Sequence, residues 1–258
     1  MRGSGLPRRL RLIASRPLAR RRAGLSALGA TPLSDHRRLV PTSRLFGFDR
    51  GRPVDRYYIE HFVRRFGGAP GYAEGDLQGV VLEVGGSEYS RRFGTVGDAP
   101  APGVIHRLDV LHVDASNPEA TVVGDLLTPS TLPSERYDCI VCTQTLHVLY
   151  DMATAVGTLH GMLKPGGVLL ATAPGISSRC KPDADKWGDY WRLTSGSAKR
   201  LFGDVFGTDG VRVDAYGNVA SAVAFLRGLS ADELTKAELD LRDLDYEVII
   251  GVRAQKAA

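Results

Sequence analysis

LPSERYDCIVCTQTLHVLYD (residues 132–151), continued by MATAVGTLHGMLKPGGVLLATAPG (residues 152–175), is the stretch whose reading decides the fold. Tyr137–Thr143 is an apolar run of strand length. Asp151 stands where a helix cap belongs. Beyond it Met152, Ala155, Val156, Leu159, Met162 and Leu163 recur on one helical face. Lys164-Pro165-Gly166-Gly167 stops that helix and turns the chain into a strand over residues 168–173. Near-continuous hydrophobicity, rather than alternation, means that both faces of each strand are covered, as in a parallel sheet.

The same rhythm extends in both directions. Upstream, residues 80–84 predict a buried strand entering a Gly85-Gly86 turn, residues 110–114 a second strand ending in an acid, and residues 120–123 a short third one. Before them, Asp55 is placed to cap a helix in which Ile59, Phe62, Val63 and Phe66 share a face, ended by Gly67-Gly68. Downstream come a helix over 197–202, a strand over Val211–Tyr216, a helix over 219–229 and a last strand over 246–252. Strands alternating with helices predict an α/β, doubly wound, mostly parallel sheet with helices on both faces. After the glycine turn, Gly94, Gly97, Pro100 and Pro102 leave a helix short or absent, and residues 114–125 are too few to hold another.

The chain has 258 residues and a formal charge of +4. Residues 1–34 hold eight Arg, no Lys and no acid, which leaves 25 basic against 29 acidic residues for the rest. The basicity is therefore a terminal tail and not a binding face, and nucleic acid is not expected as a partner. Residues 1–45 read as a basic, disordered tail and 46–258 as one domain with an N-terminal cap helix. No apolar run approaches the roughly 18 residues of a membrane span, so a membrane partner is not expected either. Arg in preference to Lys throughout suggests a GC-rich bacterial genome. The Arg-rich start also has a transit-peptide composition. Cys139 and Cys142 lie three apart in a strand and so face opposite ways. Three cysteines without a framework fit a reducing cytoplasm. The oligomeric state is open, and a homodimer is compatible with the sequence.

In an open parallel sheet ligands sit at the carboxyl ends of the strands, and the polar residues fall there. Glu83, Gly85, Gly86 and Ser87 end the first strand, Asp114 the second, Asp125 and Leu126 the third, and Thr143 and Gln144 the fourth. Glycine admits a ligand close to the backbone. Asp114 can accept both hydroxyls of a ribose, and Asp125 an adenine amine. A sulfonium would favour the carboxylates and aromatic faces nearby. Glu83 has two readings, a buried acid satisfied by amides or a partner of an amino group.

These pieces resemble the class I S-adenosylmethionine-dependent methyltransferases: VVLEVGG (80–86), VGDLL (123–127), then residues 132–151 and 159–175 in the family's order and spacing. The resemblance implies a seven-stranded sheet whose last strand is antiparallel, and S-adenosylmethionine as cofactor, held by the nine residues from Glu83 to Gln144 just named; nothing in the residues demands a metal. Ser87 and Tyr89 stand where the family pattern has glycines. A narrower resemblance of residues 49–62 and 187–202 to bacterial methyltransferases of glycans and glycosylated natural products implies a small-molecule or glycan acceptor. Tyr57, Tyr58, Tyr190 and Arg192 are then expected to bind it, with His147 or Asp189 as base; the alternative for Asp189 and Arg192 is an ion pair that pins their loop. The other histidines carry no signal. Two other classes stay open: a catalytically silent scaffold of this fold, and an NAD(P)-dependent oxidoreductase. No phosphate loop, nucleophile elbow or metal-spaced His/Cys cluster is present in the sequence.

Overall fold

The computed structural model describes residues 38–68 and 75–258. Helix α1 (Val54–Phe66) buries Ile59, Phe62, Val63 and Phe66 completely. Each such side chain is worth roughly 1.5–3 kcal/mol. Its N-cap is Pro53 rather than Asp55: the fixed φ of proline starts the helix, and Asp55 sits buried in the first turn. Strand β1 (Gly79–Val84) enters the glycine turn, followed by the six-residue α2 (Glu88–Phe93). Then come β2 (Thr95–Val96), β3 (Val104–His112), β4 (Val122–Val123) and β5 (Tyr137–Thr143). A short 3₁₀ turn at Leu146–Val148 leads to α3 (Met152–Met162), capped by Asp151, and β6 (Leu163–Pro174). The chain finishes with α4 (Lys181–Lys186), α5 (Ser195–Phe206), β7 (Val211–Tyr216), α6 (Val219–Arg227), α7 (Lys236–Asp240) and β8 (Ile249–Gln255).

The strand order is β2-β3-β1-β5-β6-β8-β7, with β4 also paired to β3. Every pair is parallel except those of β8, which runs antiparallel to both β6 and β7. This is the expected doubly wound sheet, with eight strands instead of seven. The extra strand arises because β2 and β4 share the outermost column, one at each end of β3. Residues 120–121 do not join β4, and β8 lies three residues later than expected, set by its ladder with β6 down to Val168↔Gln255.

Alternate residues divide two cores. Val81, Cys139, Val141 and Leu170 pack under α1, α2 and α6. Leu82, Ile140, Cys142, Leu169 and Ala171 pack under α3 and α5. Cys139 and Cys142 are free, buried and on opposite faces, as their spacing implied. Most of the expected tail lies outside the described residues. Its end does not behave as a tail: Thr42 and Ser43 donate their amides to the Arg227 carbonyl, and Ser43 is buried against Gly228. The packed body therefore starts before residue 46.

Candidate active site

The chain leaves β1 toward β3 on one side and returns to β5 on the other, so a crevice opens at the carboxyl ends of these strands. It holds a cleft of about 420 Å³. Gly85 is at its floor with φ +89, and nothing lies within 4 Å of where a Cβ would be, so bare backbone faces open space. The cleft walls come from Leu111, His112 and Val113 after β3, Gly124 to Leu127 after β4, and Gln144, Thr145, Val148 and Leu149 after β5. Asp183, Lys186 and Trp187 of the α4 segment close it from above. Asp125 bends its loop by accepting the Leu127 amide at 2.9 Å. Gly124 beside it lets Leu132 pack close, since a Cβ there would stand 2.6 Å from the end of the leucine side chain.

A second cavity of about 220 Å³ adjoins the first, sharing Gln144 and Asp183 with it. Phe46, Phe48 and Phe225 provide its apolar wall, and Asp55, Arg56, His147, Ser177, Ser178 and Arg192 its polar one. Among the described residues three non-glycines have positive φ, and two of them, Phe46 and Gln144, line this cavity. Such backbone persists only where its surroundings hold it, commonly at functional sites. Gln144 is held by its amide on the Thr172 carbonyl at 3.0 Å and its side chain on Thr172 Oγ1 at 3.3 Å.

Electrostatics separate the polar residues by role. His147 is buried, its Nδ1 has no partner, and burial pushes its pKa down to about 4, so the imidazole is neutral near pH 7. Burial likewise raises the Asp55 carboxyl, against the pull of Arg56. Asp189 has no exposed side chain. It accepts from Cys180 N at 2.8 Å and from both terminal nitrogens of Arg192, one at 2.9 Å. Burial alone would raise its pKa, but these bonds hold it below the usual carboxylate range. With both oxygens engaged, Asp189 is a clamp on Arg192, the loop-pinning pair that the sequence offered beside the reading of Asp189 as a base.

Of the cofactor candidates, Gly85, Asp125, Leu126 and Gln144 line the cleft together. The others frame it. Glu83 is buried and caps α2, taking the Tyr89 and Ser90 amides at 3.0 and 2.7 Å. Ser87 is the N-cap residue of α2 and donates to Glu119. Gly86 is in the same turn, and Thr143 ends β5. Asp114 lies two residues past the end of β3, with its carboxylate beside His112 Nδ1 at 3.0 Å and the Ser116 amide at 2.9 Å. Those Ser116 hydrogen bonds lower its pKa.

Of the acceptor candidates, only Arg192 and His147 line the second cavity. Tyr58 is a core residue stacked on Tyr216, because α6 packs over that face of α1. Tyr57 donates to Asp240 on α7, and Tyr190 lies edge-on to Tyr150 at the surface. Their neighbours Asp55 and Arg56, one helical step away, face the cavity instead. Sequence reasoning missed these two, and also His112, Asp183, Lys186 and Trp187. Asp55, Arg56 and Trp187 stood inside the two narrower segments of resemblance, which was the one available signal. Among the described residues no cluster of three or more His, Cys, Asp or Glu could hold a metal, and no helix is long and apolar enough to cross a membrane.

A family model described as a methyltransferase domain matches residues 55–201, more than half of the chain. No curated protein matches. Among solved structures, the N-methyltransferase NodS from Bradyrhizobium japonicum WM9 in complex with S-adenosyl-L-homocysteine is similar at 16% identity and TM-score 0.45, over 81% of this chain and 90% of that one. A SAM-dependent methyltransferase from Archaeoglobus fulgidus is similar at 9% identity and TM-score 0.46, over 78% of this chain and 92% of that one.

Proposed function

This chain belongs to the methyltransferase domain family, and we propose that it methylates a hydroxyl or amino group of a small acceptor, a sugar or glycosylated metabolite, with S-adenosylmethionine as donor. The observation that carries this reading is the pair of adjoining cavities with Gln144 and Asp183 common to both walls. The larger one fits the donor. Gly85 offers bare backbone to it, Asp125 can accept from an exocyclic amine, and Val113, Leu127 and Trp187 give apolar surface. When bound, this group supplies an electrophilic methyl on a cationic sulfur.

The protein's share is to hold the acceptor in line and manage its proton. Proximity and orientation are the main sources of rate in such a displacement. A hydroxyl acceptor gives up its proton as the new bond forms, and His147, neutral with an unpartnered Nδ1, is the group able to receive it. A positioned base contributes about 10²–10⁴-fold. An amine acceptor needs only to arrive unprotonated. Three phenylalanines beside a polar rim of Asp55, Arg56, Ser178 and Arg192 suit a ring with apolar C–H faces and polar edges. Both narrower segments of resemblance contribute to that rim, Asp55 and Arg56 from one and Arg192 from the other.

Calorimetric titration with S-adenosylhomocysteine and, separately, NADH tests the donor. Binding of the first and not the second is expected, and the reverse would make the chain an oxidoreductase. With donor bound, hydroxyl and amino sugars are then screened for methylation. His147→Ala should lower turnover on a hydroxyl acceptor about 10²-fold or more at unchanged donor affinity. Asp189→Asn should chiefly loosen the Arg192 loop. Full turnover in His147→Ala would remove it from the mechanism, and no turnover on any acceptor despite donor binding would favour the scaffold reading.

A further inference from the structure

The segment from Ser178 to Arg192, irregular except for α4, is tied shut at its base. Arg192 donates to the Ser178 carbonyl at 2.9 Å as well as to Asp189, and Asp189 accepts from the Cys180 amide. The loop so closed carries Asp183, Lys186 and Trp187 to the cleft. Trp187 lies edge-on to His112 with ring centroids 6.0 Å apart, and Lys186 Nζ is 4.1 Å from the indole centroid. His112 ends β3, so this loop reaches across to the strand on the far side of β1.

Three large apolar side chains of the cleft remain open to solvent: Val113 at 43%, Leu127 at 36% and Trp187 at 37%. A half-exposed indole thus lines the same cleft as Asp125, which can accept from an exocyclic amine. Apolar walls around a few placed polar groups are what binding sites for flat heteroaromatic rings present.

We propose that Trp187 is a further donor-binding residue that packs against the purine of S-adenosylmethionine, and that the Asp189–Arg192 clamp positions it. The inference rests on reading the cleft as the donor site. It gives Asp189 a role through Trp187: a positioning residue, in contact with neither reactant. The loop follows β6, whereas the cofactor residues read from the sequence all precede it. The donor is thus gripped from both sides of the sheet's switch point.

The test uses the full chain, S-adenosylhomocysteine as probe, and two readouts, calorimetry and indole emission. The chain has two tryptophans, Trp187 and Trp191. Saturation with the probe is expected to change the emission of the wild type and of Trp191→Phe alike, and to leave Trp187→Phe unchanged although it still binds. Trp187→Ala is expected to raise the probe's Kd about tenfold, the usual scale for losing one base–aromatic stack. Asp189→Asn should raise it in the same direction. Silent emission at saturation in the wild type, with Trp187→Ala binding within twofold of it, would overturn the proposal while leaving the donor reading intact. Absence of any binding to the wild type would overturn both. Trp187 is partly exposed and outside both cores, so Trp187→Phe keeps the fold and the emission readout stands even if the alanine variant is unstable.

Discussion

Burial of His147 carries a consequence for stability as well as for chemistry. Its folded pKa is about 4 against an ordinary value near 6.5. Between those values the unfolded chain binds a proton that the folded chain does not. Stability is therefore complete above about pH 6.5 and declines as pH falls toward 4, by up to roughly 3 kcal/mol from this residue. Urea melts from pH 7 to pH 4 should show His147→Gln flatter than the wild type by that order; parallel curves would mean that the imidazole is solvated. Position 147 itself could be read from the sequence because it follows a strand whose end was plain. The sides of α1 could not. Periodicity tells which residues are apolar, and it placed Ile59, Phe62, Val63 and Phe66 correctly. It cannot tell that a later helix, α6, will claim the Tyr58 ring and leave Asp55 and Arg56 for the cavity. Asp189 shows a related limit. The sequence left it as a base or as the partner of Arg192, three residues on, and only the placement of the two side chains decides for the pair.

At the scale of elements, α1 reaches the cavity because it lies close against β8. Gly251 makes that approach possible: a Cβ there would stand 2.4 Å from the Phe62 ring. Gly251→Ala should cost about 1–3 kcal/mol, the range for overpacking a filled core. It should also weaken acceptor handling more than donor binding, because Asp55 and Arg56 ride on the displaced helix. A denaturation midpoint equal to wild type would show that the helix shifts freely. Elements whose signals are local were legible. The helix from Asp151 and the strands beside it are written in consecutive residues with a cap and a Pro-Gly-Gly stop. Strand β3 begins at Val104, six residues before the apolar run, because His106, Arg107 and Asp109 disguise it. Asp109 is tolerated there, nearly buried, because its neighbour Arg107 pairs with it and Arg136, Tyr137 and Thr121 arrive from elsewhere at 2.9, 3.3 and 3.2 Å. The α4 loop has no periodicity at all, so nothing in its sequence pattern pointed Trp187 at the cleft.

For the whole molecule, donor binding and folding are linked. At a hundredfold excess of S-adenosylhomocysteine over its Kd the folded state gains about 2.7 kcal/mol. For a domain of this size that is a rise in Tm of about 5–10 °C. A thermal scan with and without the ligand measures it, and an unchanged Tm at saturation would mean that folded and unfolded chains bind equally. The divided outer column of the sheet has a different consequence. Among the described residues β2 covers one end of β3 and β4 the other, so on the outer edge of that strand only the stretch from His106 to Val110 has no β-partner. An ion pair between Arg107 and Asp109 lies across that gap. Long, flat, apolar edges are where neighbouring copies of a protein zip together into aggregates, and short charged ones discourage it. Two fragments of strand thus shorten the open edge on this side of the sheet to a few residues, and leave β7 as the longer edge on the other.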